Sequence, residues 1–171
     1  MLKISTKSQY GLRAMAYLAK CRDKICPLKI ISGKEGISFD YLEKIISKLE
    51  KTGLIKAKKG VQGGYFLAKS PKRIKIGEII RALEGDTVLV KCIAPIRSRR
   101  DKSLLHPSLR SGKRGYRCPR ERKCLTKNFW QKIQKTLNSA LNSITLADLI
   151  TPKDRAHKTL CASAYGARKP R

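Results

Sequence analysis

EGISFDYLEKIISKLEKTGLIKAKKGVQGGY, from Glu35 to Tyr65, is the stretch that decides the fold of this chain. Leu42, Ile45, Ile46 and Leu49 recur at i, i+3, i+4 and i+7, the period of a helix with one buried face. Ser38 stands where an N-cap belongs, and Gly53 where such a helix stops. Asp40, Glu43, Lys44 and Ser47 repeat the spacing on the opposite face, so a polar row points outward. Directly afterwards Ile55 and Ala57, then Tyr65 to Ala68, have strand character. Gly60, Gly63 and Gly64 supply the turn between them. The stretch therefore reads as an amphipathic helix followed by a β-hairpin.

The flanking residues complete the unit. Ser5 to about Lys20 reads as a helix with Tyr10, Ala14, Tyr17 and Leu18 on one face. Pro27 to Gly36 reads as a short second helix, with Pro27 suited to its first turn and Gly36 closing it. Two helices joined by a tight turn at Gly36 and followed by a hairpin make a winged helix-turn-helix candidate. Lys56, Lys58 and Lys59 line the hairpin, where a wing meets the phosphate backbone or the minor groove. After Pro71, IGEIIRALEG places Ile76, Ile79, Ile80 and Leu83 in one apolar stripe.

Periodicity then lapses. Residues 91–117 hold Pro95, Pro107, Gly112 and Gly115 among charges and serines, the composition of an exposed or disordered loop. Order resumes near Thr126, a candidate N-cap. Trp130, Ile133, Leu137, Ala140 and Ile144 are spaced 3, 4, 3, 4, the seam of a helix packed along another helix, and Phe129 and Leu141 widen it. A single long helix cannot bury such a stripe on itself, so a twofold dimer is expected, with docking onto its own winged helix as the alternative. The fold class expected is mainly α with a small β-hairpin. A winged helix-turn-helix domain spans 1–90, a basic cysteine-containing loop 91–124, a dimerisation helix 125–150 and a disordered basic tail 151–171.

Composition points to the partner. Forty Lys and Arg face 12 Asp and Glu, a net charge of +28 over 171 residues. Self-repulsion at that level favours a polyanionic partner, most simply nucleic acid, over a merely solvated surface. The density peaks in residues 91–124, with twelve basic side chains against two acidic ones. No apolar run reaches the ~18 residues of a membrane span, and the first residues lack the apolar centre of a signal peptide, so a cytoplasmic location without membrane contact is expected. No nucleophile–base pairing, phosphate loop or paired-carboxylate motif suggests an enzyme.

Six cysteines in that compartment are not expected to form a disulfide framework. Cys118 and Cys124, in C-x5-C spacing, lie in the basic loop, and 25 residues separate Cys92 from Cys118. The cysteines are either inert buried thiols, or ligands and sensors acting through the thiolate. A zinc site with His106 as fourth ligand, or redox thiols without metal, remain open. Cys21 and Cys26 read as ordinary part-buried thiols, and Cys161 as a free thiol in the tail.

MLKISTKSQYGLRAMAYLA, the Glu35–Tyr65 stretch with its QGGY wing, IGEIIRALEG, and CLTKNFW…LNSITLADL closely resemble the Rrf-two family of bacterial winged-helix transcription regulators. That family includes iron–sulfur-dependent and nitric-oxide-sensing repressors. The resemblance covers about 1–92 and 118–150. It implies a homodimer whose two winged helices read a partly palindromic operator in double-stranded DNA. It also implies DNA contacts by Ser38, Asp40, Tyr41, Glu43, Lys44, Lys58, Lys59 and Gln62. An iron–sulfur cluster of 2Fe–2S type would sit on Cys92, Cys118 and Cys124. Where some members place a histidine ligand this chain has Lys127, and where others recruit an acidic residue from the partner's first helix it has Gln9. The fourth ligand is therefore unidentified, with His106 the nearest candidate. A cluster-free regulator of the same fold, or a non-specific nucleic-acid-binding protein, are the alternatives.

Overall fold

A computed structural model describes residues 4–21, 24–60, 63–85, 88–90, 93, 120 and 123–150. The expectations for the 91–117 loop, apart from Ile93, and for the 151–171 tail lie outside the described residues. Within them the chain is mainly helical, with five α-helices and one two-stranded antiparallel hairpin.

Helix α1 spans Thr6–Lys20, and the Ser5 hydroxyl at its N-cap accepts from the Ser8 N–H at 3.3 Å. Its buried face is centred on Gly11, Ala14, Met15 and Leu18. Tyr10, expected on that face, is only partly covered. Helix α2, Leu28–Glu35, ends on Gly36, whose φ of 62° is the left-handed turn that glycine adopts without strain. Helix α3, Phe39–Lys51, comes next and seats Leu42, Ile45, Ile46 and Leu49 at no more than 1% exposure. Each such burial contributes roughly 1.5–3 kcal/mol, so these four fix the helix to the core.

Strands β1, Ile55–Lys58, and β2, Gly64–Leu67, pair with Ile55 opposite Leu67 and Lys58 opposite Gly64. A third segment joins this hairpin, one that no sequence pattern announces. Cys26 and Tyr65 exchange N–H···O bonds at 2.9 Å in both directions, tying β2 to the residues before α2. Helix α4, Ile76–Glu84, buries Ile76, Ile79, Ile80 and Leu83 against α1 and α3.

Helix α5, Lys127–Ser143, starts beside Thr126, whose backbone is helical and whose hydroxyl caps nothing. No residue of α5 is buried. The segment beyond its C-terminal end is more firmly held. Ile76 N–H donates to Ile144 O at 3.0 Å, Leu146 N–H donates to Ile74 O at 2.8 Å, and Leu146 and Ile150 enter the common core. Helix α5 is thus tied to the winged helix through its C-terminal end.

Candidate nucleic-acid interface

The four inward residues of α3 leave its opposite face in solvent. Asp40, Glu43 and Lys44 are exposed there, as the sequence expects, and Ser47 is half-buried. Ser38 takes the N-cap position, but its hydroxyl makes no capping bond, so its side chain leaves the first-turn N–H groups of α3 to another partner. Tyr41 is less free than its neighbours. Its ring packs edge-on against Tyr10, with centroids 5.9 Å apart, and the Arg13 guanidinium lies over Tyr10 while pairing with Glu35 at 3.0 Å.

Strand alternation sends Ile55 inward and places Lys56 and Lys58 together on one face of the hairpin, with Lys59 exposed at its turn. Gln62 lies outside the described residues. Gly63 is required at this turn, since a Cβ would fall 2.4 Å from Lys58 O and 2.7 Å from Gly60 O. Helix and wing form one surface. Helix α3 packs against β1, and burial, then the nearby carboxylates of Glu50 and Glu43, push the Tyr65 phenol upward. Lys44, Lys56, Lys58 and Lys59 make no ion pair among the described residues, so their charge is available to a polyanion.

Of the expected cluster ligands, only Cys124 lies within the described residues; Cys92, Cys118 and His106 lie outside them. Cys124 stands just before α5, its Sγ 3.4 Å from Thr126 Oγ1. Hydrogen bonding to the Thr126 side chain and backbone holds its thiol below the usual range, which favours the thiolate a soft metal requires. The donor chemistry at this position therefore fits a cluster ligand. The described residues contain no group of three His, Cys, Asp or Glu that could hold a metal ion. Gln9 is exposed on α1 and its amide donates to Ile4 O at 3.2 Å, while Lys127 opens α5. Cys26 is a free, fully buried thiol that burial pushes up to about 11, whereas Cys21, expected as an ordinary thiol too, is disulfide-bonded.

The profile of the Rrf2 family, described as an iron-dependent transcriptional regulator, matches residues 4–152. The chain belongs to the Rrf2 family. The HTH-type transcriptional regulator IscR of Yersinia pseudotuberculosis is 32% identical over 154 residues, covering 90% of this chain and 82% of that protein. Among solved structures, T. potens IscR is 38% identical with a TM-score of 0.60, covering 86% of this chain and 85% of its own. CymR, the global cysteine regulator of B. subtilis, is 35% identical with a TM-score of 0.60, covering 87% and 96%. Like its Rrf2 relatives the chain is a DNA-binding transcription regulator and not an enzyme. No helix among the described residues is long and apolar enough to cross a membrane.

The structure also supplies residues that sequence reasoning missed. Glu84, in the ALEG helix end, accepts hydrogen bonds from the Ser5 and Ser8 hydroxyls and pairs with Lys7 at 3.3 Å, fixing the start of α1 to the end of α4. The ALEG motif was the signal, but it carried no indication of which partners its acid would find.

Proposed function

We propose that this Rrf2 protein is a homodimeric, sequence-specific regulator whose two α3 helices read half-sites about one helical turn, ~34 Å, apart. The observation that carries the reading is the division of faces on α3 and the wing. Four apolar residues hold the helix in the core, while Asp40, Glu43 and Lys44 stand outward beside the unpaired lysines of the hairpin. Glu43 can accept from a cytosine amino group. Lys44, Lys58 and Lys59 contact phosphates or the minor-groove edge, with Ser38, Tyr41 and Gln62 completing the contact set. The N-terminus of α3, uncapped by Ser38, adds donors for a phosphate.

Dimerisation is supported by α5. Ile133, on the seam that the 3–4 spacing defines, is 38% exposed, Phe129 beside it is 57% exposed, and Ile144, just past the helix, is 42% exposed. The helix touches its own domain instead through Gln134, Leu141 and Asn142.

Cys92, Cys118 and Cys124 would hold an iron–sulfur cluster of 2Fe–2S type through their thiolates, supported by the lowered thiol of Cys124 and by the iron-dependent family. When bound, the cluster supplies a centre responsive to redox state, nitric oxide or cluster supply. The basic residues around it offset its negative charge.

Two measurements test the reading. A duplex selected by the full-length protein from a random-sequence pool should stay bound in excess random DNA, and the log–log salt slope should be near −7 if ~8 phosphates are neutralised. A slope shallower than about −2, or complete loss to competitor, identifies non-specific electrostatic binding instead. Anaerobically purified protein should contain iron and acid-labile sulfide in equal amounts, with visible absorbance lost in Cys118→Ala. Zinc in their place would assign the thiols to a structural zinc site.

A further inference from the structure

Helix α5 meets its own domain through two amides that lie two turns apart. Near its C-terminal end Asn142 Oδ1 accepts from Arg81 Nη2 at 3.2 Å and lies over Gly77, where a Cβ would fall only 2.4 Å from that oxygen. Eight residues earlier, about 12 Å along the axis, Gln134 Oε1 accepts from Leu89 N–H at 2.9 Å. The Gln134 amide donates in turn to Asn138 Oδ1 at 3.1 Å. Ile93, whose N–H bonds Val90 O at 3.2 Å, flanks the same amides across a groove of about 440 Å3.

A helix fixed only at one end pivots, and two separated contacts on one face give it a direction. The lever is long. Fifteen residues separate Asn142 from the start of α5, about 22 Å, so a tilt of roughly 10° about Asn142 moves that start by about 4 Å. That displacement is comparable to the ~3.4 Å rise of one base pair. The remote contact therefore decides where a partner subunit sits to within one step of DNA.

We infer that Gln134 is a positioning residue: by holding the Leu89 N–H it sets the direction of α5 from α4, and through the dimer the separation of the two α3 helices. Its partner, Leu89, lies three residues before Cys92 in sequence, so the contact links the approach to the cysteine loop with the dimer helix. The inference rests on the dimeric reading above.

The test uses the full-length protein and the duplex selected from the random pool, together with versions in which one base pair is added or removed between half-sites. Wild type should prefer the selected spacing. Gln134→Met keeps the side-chain length but removes the acceptor; it should weaken that preference about five-fold or more. It should also speed hydrogen exchange at the Leu89 amide, leaving dimer content and Tm close to wild type. Gln134→Glu keeps an acceptor for Leu89 and should restore both readouts, which a merely structural role would not require. Unchanged spacing preference in Gln134→Met, or equal loss in both variants, overturns the inference alone. A monomeric wild type, or one indifferent to spacing, overturns the dimeric reading and this inference with it.

Discussion

Gly64 lies directly against the Cys26 carbonyl: a Cβ built on it would fall 2.5 Å from the oxygen and 2.6 Å from the carbon. Both are backbone atoms, so no rotamer change relieves the contact. The close approach is what lets Cys26 and Tyr65 pair. Gly64→Ala should therefore cost about 1–3 kcal/mol, and lower Tm by roughly 2–4 °C per kcal/mol. Gly33, in α2, has nothing within 4 Å of its hypothetical Cβ and no left-handed φ, so Gly33→Ala should raise stability by about 0.5–1 kcal/mol. Thermal unfolding of the two variants checks the pair. A Gly64→Ala protein as stable as wild type would show that the wing is not locked to Cys26.

Glu84 predicts a pH dependence. Burial pushes its carboxyl up, but hydrogen bonds from Ser5 and Ser8 together with Lys7 outweigh that and hold it below the usual range. A carboxyl depressed in the folded state contributes stability above its unfolded value, and that stability is lost as pH falls through the folded value. Glu84→Gln should thus be destabilised by roughly 1–2 kcal/mol at neutral pH. The gap from wild type should close on acidification to below the ordinary carboxylate range. Urea titrations at several pH values measure it; a gap independent of pH would rule out the ionised carboxylate as its source.

The two free cysteines among the described residues are expected to react very differently. Cys26, its thiol pushed up to about 11 by burial, stays protonated at neutral pH. Cys124, lowered by Thr126, carries more thiolate. In metal-free protein near pH 7.5, alkylation followed by peptide mass spectrometry should find Cys124 labelled long before Cys26. The sign for stability is opposite to that of Glu84. Cys26 has a raised folded value, so its contribution is complete below the ordinary thiol value and is lost as pH rises towards 11. Cys26→Ala should accordingly lose stability at pH 7 but flatten the alkaline limb of the stability profile.

Where the fold was legible, a repeating pattern made it so. Leu42, Ile45, Ile46 and Leu49 announce α3 because four apolar residues at helical spacing leave one consistent face, and all four are buried. The outward row comes from the same geometry. Leu146 had no such signal. A lone leucine in a four-residue turn has no period, yet it is completely buried, because the backbone pairing of Thr145 with Lys75 carries it to the core. The Cys26–Tyr65 bridge was hidden for the same reason, being one residue long. Polar partnerships such as Glu84 with Ser5 and Ser8 join residues 76 or more apart, and residue type alone does not choose between possible partners.

The apolar seam of α5 gives the sharpest test of assembly. Ile133 is 38% exposed and Phe129 57% exposed, so neither supports the core of its own subunit. Replacing Ile133 by Glu should leave the winged helix folded, with Tm shifted by no more than the loss of a partner produces. It should place a charge in the contact between two α5 helices, where desolvation without a counter-ion opposes association. Sedimentation should then find monomer, and affinity for the selected duplex should fall by about 10²-fold or more, because two half-sites no longer bind as one unit. Ser139→Glu, on an exposed position away from the seam, should remain dimeric. If Ile133→Glu dimerised as well as Ser139→Glu, the seam would not be the subunit contact. The exposed stripe would then need a different partner.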